Sequence, residues 1–368
     1  MKYTNSTHLY RQIIQDLKLK ITDGKLPLGS QIGTHKQLAV KYNVSLITVK
    51  KAIDELVKEG FLTSKAGKGT FVINSQGKLK EKKNLRTTNT IGFVLRDLQN
   101  PFFSLIAHEI ELLAHQKGYT TLIANSSDNF EKEENIIRQL KNSGATGLII
   151  ASMAQKYFAS ETIRSLHREK FPYVMVSYIH DKDIYFVGTD HVHGGFLATE
   201  HLIKQGYKSI GYINSSIGNL TSDLRRIGYF KAFAHYKRTI DPDHIFYLQS
   251  GGGWQYFSAG IEIGKIICKT KNRPEAFFVY NDLVALGFQR AILDYGLSIP
   301  EDIAIVGYDD IELASLAPVP LTTIKQPINE IAAHALRVIT AQADSGNPEY
   351  HTILKPELVV RNSTTLTS

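Results

Sequence analysis

Beyond residue 90 the chain repeats one pattern: a short apolar run, a stretch long enough for a helix, then another apolar run. Runs at 91–95 (IGFVL), 120–124 (TTLIA), 147–151 (GLIIA) and 173–176 (YVMV) begin 26–29 residues apart. Further runs stand at 210–213, 277–280 and 303–306. Four or five apolar residues between turn signals suit a strand, and each gap accommodates one helix. Strands buried on both faces and joined by helical crossovers are what a parallel sheet requires. The spacing therefore predicts an α/β body of about 280 residues, more readily built as two smaller sheets than as one.

The first quarter differs in kind. The 368 residues carry 43 Lys/Arg and 35 Asp/Glu, of which residues 1–88 hold 17 and 6. The rest keeps 26 basic and 29 acidic residues, so the excess positive charge sits entirely in front. A small basic module on a nearly neutral body suggests a polyanion-binding head and a body with another task. No apolar run approaches the ~18 residues of a membrane-spanning helix, and the opening MKYTNSTHLYRQ lacks the apolar core of a secretory signal. The single cysteine, Cys268, excludes an internal disulfide and a cysteine-based zinc cluster. The expected compartment is cytoplasmic.

Within the head, Tyr10, Ile13, Ile14, Leu17 and Ile21 follow a helical period that ends near Asp23-Gly24. Leu38, Ala39 and Tyr42 mark a short second helix. After the turn Asn43-Val44-Ser45, Ser45 is a suitable N-cap for a third helix running to Glu59 and stopped by Gly60. Its inward stripe is Val49, Ile53, Leu56 and Val57; Ile47, Thr48, Lys50 and Lys51 fall elsewhere, near its start. Strands at 61–64 and 70–73 follow, joined by the glycine-bearing turn at 65–69. Three helices and a hairpin make a winged helix-turn-helix (α+β). The start of its third helix can enter a major groove, and wing lysines can meet phosphates. The segment 75–90 is lysine-rich and almost free of apolar residues, which marks a linker after a DNA-binding domain at 1–74.

This head resembles the GntR family of DNA-binding domains. The matching features are Ile21-x-x-Gly24, Leu38-Ala39, Val44-Ser45, Thr48-Val49-Lys50, Leu56-x-x-Glu59-Gly60 and Gly67-x-Gly69-Thr70-Phe71-Val72. The resemblance implies DNA contacts at Lys36, Ser45, Leu46, Ile47, Thr48, Lys50, Gly67 and Lys68. Gly33-Thr34-His35-Lys36 replaces the family's usual Pro-Ser-x-Arg. Leu46 stands where the family usually has Arg, so weaker guanine reading is expected there.

The body carries no phosphate loop G-x-x-x-x-G-K-[ST], no G-x-G-x-x-G after its first strand and no G-x-S-x-G elbow. Asp190, His191 and His193 come nearest to a metal set, but an i, i+2 spacing does not bring both rings to one helical face. Neither a metal, a cofactor nor a catalytic residue is expected. Four clusters do stand at predicted strand ends or helix starts: Asn100-Pro101-Phe102-Phe103-Ser104, Leu224-Arg225-Arg226-Ile227-Gly228-Tyr229, Tyr280-Asn281-Asp282 and Gly307-Tyr308-Asp309-Asp310. Open α/β sheets bind ligands outside the carboxyl ends of their strands. Carboxylates, amides and an arginine beside aromatic rings suit a polyol, which offers hydroxyls on its edge and C–H groups on its faces.

From about residue 90 to the end the chain resembles the effector domain of the LacI/GalR repressor family, itself similar to periplasmic sugar-binding proteins. Ile303-Ala304-Ile305-Val306-Gly307-Tyr308-Asp309-Asp310 and Pro320-Leu321-Thr322-Thr323-Ile324-Lys325-Gln326-Pro327 carry most of the likeness. Thr189-Asp190, Gly194-Gly195, Ala198-Thr199-Glu200-His201-Leu202-Ile203 and Arg225-x-x-Gly228-Tyr229 add to it. The resemblance implies two Rossmann-like subdomains in an effector domain at 91–368, one of 91–189 with 326–345 and one of 190–322 with 350–368. It implies effector contacts at Phe102, Phe103, Ser104, Arg225, Trp254, Asn281, Asp282 and Asp309, with Gln326 at the hinge. Ser177 stands near where the family often places an acidic or polar ligand residue. The expectation is a homodimeric, sugar-responsive repressor of carbohydrate-utilisation genes. It would bind a near-palindromic double-stranded operator and a pentose or hexose. The alternative is a carbohydrate-active α/β enzyme with a DNA-binding regulatory head.

Overall fold

The structure is a computed structural model that describes residues 6–65, 69–73, 89–151, 158–176, 180–215, 219–249, 255–344 and 348–365. Contacts divide the chain into two compact units, Met1–Thr87 and Thr88–Ser368.

In the first unit the helical periods become α1 (Ser6–Thr22), α2 (His35–Tyr42) and α3 (Leu46–Lys58). Their apolar stripes meet in one core. Ile13, Leu17 and Ile21 come from α1, Leu38 from α2, and Val49, Ala52, Ile53 and Leu56 from α3. Val57, expected on that stripe, only flanks it, and Ala52 takes the inner place. Asn43 closes α2 in the left-handed region at φ 51°, a conformation asparagine tolerates better than most residues. Ser45 then caps α3 by accepting from the Thr48 amide. Strands β1 (Leu62–Lys65) and β2 (Gly69–Val72) pair antiparallel, Leu62 opposite Val72. The result is the winged helix-turn-helix that the pattern predicts.

The second unit holds two six-stranded sheets. The first contains β3 (Asn89–Leu95), β4 (Tyr119–Asn125), β5 (Gly147–Ile150), β6 (Tyr173–Met175), β7 (Phe186–Thr189) and β13 (His351–Leu354). Its order is β13-β7-β6-β5-β3-β4, parallel throughout. Helices α4 (Pro101–Gln116), α5 (Phe130–Asn142), α6 (Glu161–Arg168) and α12 (Ile328–Ala343) contribute to its core. The second sheet contains β8 (Ile210–Asn214), β9 (Ile245–Tyr247), β10 (Ala276–Val279), β11 (Ala304–Asp309), β12 (Thr322–Lys325) and β14 (Glu357–Val359). Its order is β14-β12-β11-β10-β8-β9, with β14 alone antiparallel to its neighbour. Helices α7 (His191–Lys204), α8 (Leu220–His235), α9 (Gln255–Cys268), α10 (Asp282–Asp294) and α11 (Glu312–Leu316) complete that lobe.

The chain changes lobes between β7 and α7, between β12 and α12, and between β13 and β14. The tail corrects the expected assignment of 350–368 to the second lobe. His351–Leu354 pairs with Phe186–Thr189 in the first sheet, and only from β14 does the chain join the second. The half-exposed sequence His351-Thr352-Ile353-Leu354 is an edge strand and lacks the all-apolar run of a central one. Arg225 also lies further into its helix than the sequence suggests. Helix α8 begins at Leu220, capped by Asn219, rather than at Leu224.

Candidate functional site

Strand ends of both sheets converge on a partly open cleft. Arg96, Asp97, Asn100, Phe102 and Phe103 follow β3, and Asp128 follows β4. Thr189 ends β7 and His191 starts α7. From the second lobe come Asn219, Thr221 and Arg225 after β8, Tyr280 and Asn281 after β10, Asp309 at the end of β11 and Gln326 after β12. Tyr256, at the start of α9, adds an aromatic wall. This is the place where parallel sheets present ligand-binding loops.

Buried polar bonds organise the cleft. Arg225 is 5% exposed; it donates to the Tyr280 carbonyl, lies 3.5 Å from Asp309 Oδ1, and stacks 3.6 Å from the centre of the Tyr308 ring. Gln326 Nε2 donates to Asp309 Oδ1 at 2.7 Å, while its Oε1 accepts from Thr189 Oγ1 at 2.6 Å. One amide thus joins the end of β7 in the first lobe to the end of β11 in the second. Burial pushes the Asp309 carboxyl up to about 6, opposed by Arg225 and Gln326. Burial, aided by the positive Arg225, drives the His191 imidazole well below its ordinary range, so the ring is neutral at pH 7. Its Nδ1 lies 3.2 Å from the Tyr308 hydroxyl. In the first lobe Arg96 Nε donates to Asp128 Oδ1 at 2.9 Å.

Of the effector residues expected from sequence, Phe102, Phe103, Arg225, Asn281, Asp309 and Gln326 line the cleft. Ser104 and Asp282 do not. Ser104 is exposed and donates to the Leu98 carbonyl at 2.9 Å, which closes the loop before α4. Asp282 is fully buried beneath the cleft floor. Its Oδ1 accepts from Thr323 Oγ1 at 2.6 Å and its Oδ2 from the Ile311 amide at 3.0 Å. Oδ2 thus holds the start of α11 and Oδ1 ties Asp282 to β12, and Asp282 is not among the residues that line the cleft. Burial, then the neighbouring Asp309, raises the Asp282 carboxyl to about 7. Ser177 and Trp254 lie outside the described residues.

Sequence reading missed Arg96, Asp97, Asp128, Asn219, Thr221 and Tyr256 as cleft residues and took His191 as a helix-entry residue; Asn100 and Tyr280 stood in the clusters expected at the cleft, without a ligand role of their own. The available signal was position: each follows or ends a strand, or starts a helix, on the cleft side. Asp190, His191 and His193 do not gather as ligands. The Asp190 side chain caps α7 by accepting from the His193 amide at 2.8 Å. Among the described residues no group of three His, Cys, Asp or Glu side chains could hold a metal ion, and no helix is long and apolar enough to cross a membrane.

On the head, the expected DNA contacts fall on α2 and the first turns of α3. Lys36, Ser45, Leu46, Ile47 and Lys50 are exposed and Thr48 half-buried. The Ser45 and Thr48 hydroxyls are 2.9 Å apart, and Ser45 Oγ accepts from the Thr48 amide at 3.2 Å. Gly67 and Lys68 lie outside the described residues.

A winged helix-turn-helix head and a two-lobed body with a polar cleft at its strand ends define a ligand-responsive regulator of transcription. The comparisons agree for each part. Residues 9–72 match the gntR family of bacterial regulatory proteins, and 199–364 match a periplasmic binding protein-like domain. The arabinose metabolism transcriptional repressor of Geobacillus stearothermophilus is 32% identical over 96% of this chain and 97% of that protein. The transcriptional repressor PurR of Aliivibrio salmonicida is 30% identical over 75% of this chain and 82% of its own. The structure of a LacI-family transcriptional regulator from Enterococcus faecium with bound ribose superposes with a TM-score of 0.66 and 26% identity, covering 76% of this chain and all of that one. The chain belongs to the family of transcriptional repressors that join a gntR-type head to a LacI-type effector domain. These proteins regulate genes and are not enzymes.

Proposed function

We propose that a monosaccharide binds between the two lobes and sets how tightly the head holds operator DNA. The observation that carries this reading is the chemistry of the cleft. A guanidinium, a carboxylate and two amides from Arg225, Asp309, Asn281 and Gln326 stand beside the rings of Phe102, Phe103 and Tyr256. Such a set matches hydroxyls on the edge of a sugar and C–H groups on its faces. Among the described residues the two arginines of the cleft, Arg96 and Arg225, are each paired with a carboxylate, which favours a neutral sugar over a sugar phosphate. Arabinose, in the name of the Geobacillus repressor, and ribose, bound in the Enterococcus structure, make pentoses the first candidates. Hexoses complete the test panel.

The proposed organisation is a DNA-binding domain at 1–74, a linker at 75–90 and an effector domain at 91–368, acting in the cytoplasm as a homodimer on a near-palindromic operator. The target genes are those of sugar use. Thermal melting against a panel of monosaccharides tests the ligand. A sugar that binds the native fold raises the melting point, and Arg225→Ala removes that rise while leaving operator binding intact. No rise with any monosaccharide defeats the proposal; loss of operator binding as well shows Arg225 to be a folding residue.

A further inference from the structure

The edges of guanine, cytosine and adenine present hydrogen-bond donors and acceptors to the major groove, whereas thymine adds one apolar group, its C5 methyl. A helix that reads guanine needs polar side chains at its first turn. Helix α3 opens instead on two aliphatic residues, Leu46 and Ile47, 48% and 81% exposed. Neither is needed by the core. The buried stripe of α3 is Val49, Ala52, Ile53 and Leu56, none more than 1% exposed. At about 100° per residue, Ile47 lies about 200° round the helix from Val49 and faces away from that core. The nearby Ser45 and Thr48 hydroxyls face each other at 2.9 Å, with Ser45 Oγ also accepting from the Thr48 amide, so part of their bonding capacity is spent on capping the helix. Exposed lysines on α2 and α3, Lys36 and Lys50, supply charge complementary to phosphates. An apolar tip within a basic surface fits one feature of a duplex.

We infer that Leu46 and Ile47 read thymine methyls, so that α3 specifies A·T pairs where its first turn meets the major groove. This rests on the DNA-binding reading of the head and adds the class of base pair it selects. The two side chains pack on a methyl group and accept no hydrogen bond, so the preference comes from shape and apolar burial.

Selection by the full chain from a pool of randomised duplexes gives the bound sequence. The selected duplex is then resynthesised with deoxyuridine for thymidine at each invariant A·T position, which removes the methyl group and leaves the pairing edge unchanged. The inference expects invariant A·T pairs in each half-site and a loss of about fourfold per methyl removed, the size of one buried methylene-like group. Ile47→Ser or Leu46→Ser, both at exposed positions, then loses the distinction between thymine and uracil at the base pair that the altered side chain contacts. An invariant guanine at the position that these variants affect, or uracil duplexes bound as tightly as thymine ones by the unaltered chain, overturns the inference. Retention of DNA without any sequence preference overturns it too. A chain that retains no duplex at all defeats the DNA-binding reading itself.

Discussion

Asp282 and Asp309 show how two nearby carboxylates acquire different tasks. Asp309 borders the cleft and meets Arg225 and Gln326. Asp282 sits below it with both oxygens bonded to the protein. The turn between them is unusual, with Asp309 at φ 119° and Asp310 at φ 55°. Non-glycine residues there cost of order 1–3 kcal/mol each, so neighbours must hold them. Asp282, through the Ile311 amide, and Arg361, 2.6 Å from Asp310 Oδ1, are those neighbours. The Asp282 carboxyl is raised from 3.8 to about 7. The folded chain keeps a proton that the unfolded chain releases, so stability is fully present below about pH 4 and is lost as pH rises towards 7. Asp309, raised to about 6, adds to the same trend. Asp282→Asn can still accept from the Ile311 amide and donate to Thr323 Oγ1, without a titration. Urea midpoints across that range should show the unaltered chain losing about 1–4 kcal/mol relative to Asp282→Asn as pH rises. Parallel pH curves for the two proteins would show that Asp282 is ionised throughout. Residues of this kind are poorly legible in sequence. Tyr280-Asn281-Asp282 advertises polar chemistry at a strand end, but which carboxylate faces ligand depends on a turn made thirty residues later.

Among the elements, α7 and α8 are held by backbone contact rather than by interlocked side chains. A Cβ on Gly195 would lie 2.0 Å from the Arg225 carbonyl oxygen, and one on Gly228 would lie 2.1 Å from the Val192 carbonyl oxygen. Those two glycines let α8 approach closely enough to place Arg225 against Tyr308 and Asp309. Gly195→Ala should therefore destabilise the fold by about 1–3 kcal/mol, the usual range for overpacking. It should also blunt the melting-point rise given by a sugar, since α8 must shift with Arg225 on it. Denaturation midpoints with and without ligand check both effects; unchanged values in each would mean that the helices tolerate separation. The central strands β3, β5, β6, β8, β10 and β11 were legible because strands buried on both faces must be apolar. Among the edge strands, β4 was legible from its run at 120–124, whereas β9, only three residues long, and the partly exposed β13 and β14 give too short or too mixed a signal. The three head helices were legible for a similar reason, through a 3.6-residue period and clear caps.

For the whole molecule, the charge division of the sequence coincides with two compact units, Met1–Thr87 and Thr88–Ser368. In the proposed function a sugar favours the closed arrangement of the two lobes, and in a dimer that preference is passed to a pair of heads. A ligand shifts such an equilibrium only by its different affinity for the two states. Coupling energies of about 1–3 kcal/mol, or about 5–150-fold in affinity, are usual. The most direct measurement is the operator affinity of the full chain, by fluorescence anisotropy, with and without a saturating sugar that raises its melting point. The account predicts a change of about 5–150-fold, absent in Arg225→Ala. Equal affinity in the presence and absence of that sugar would contradict it.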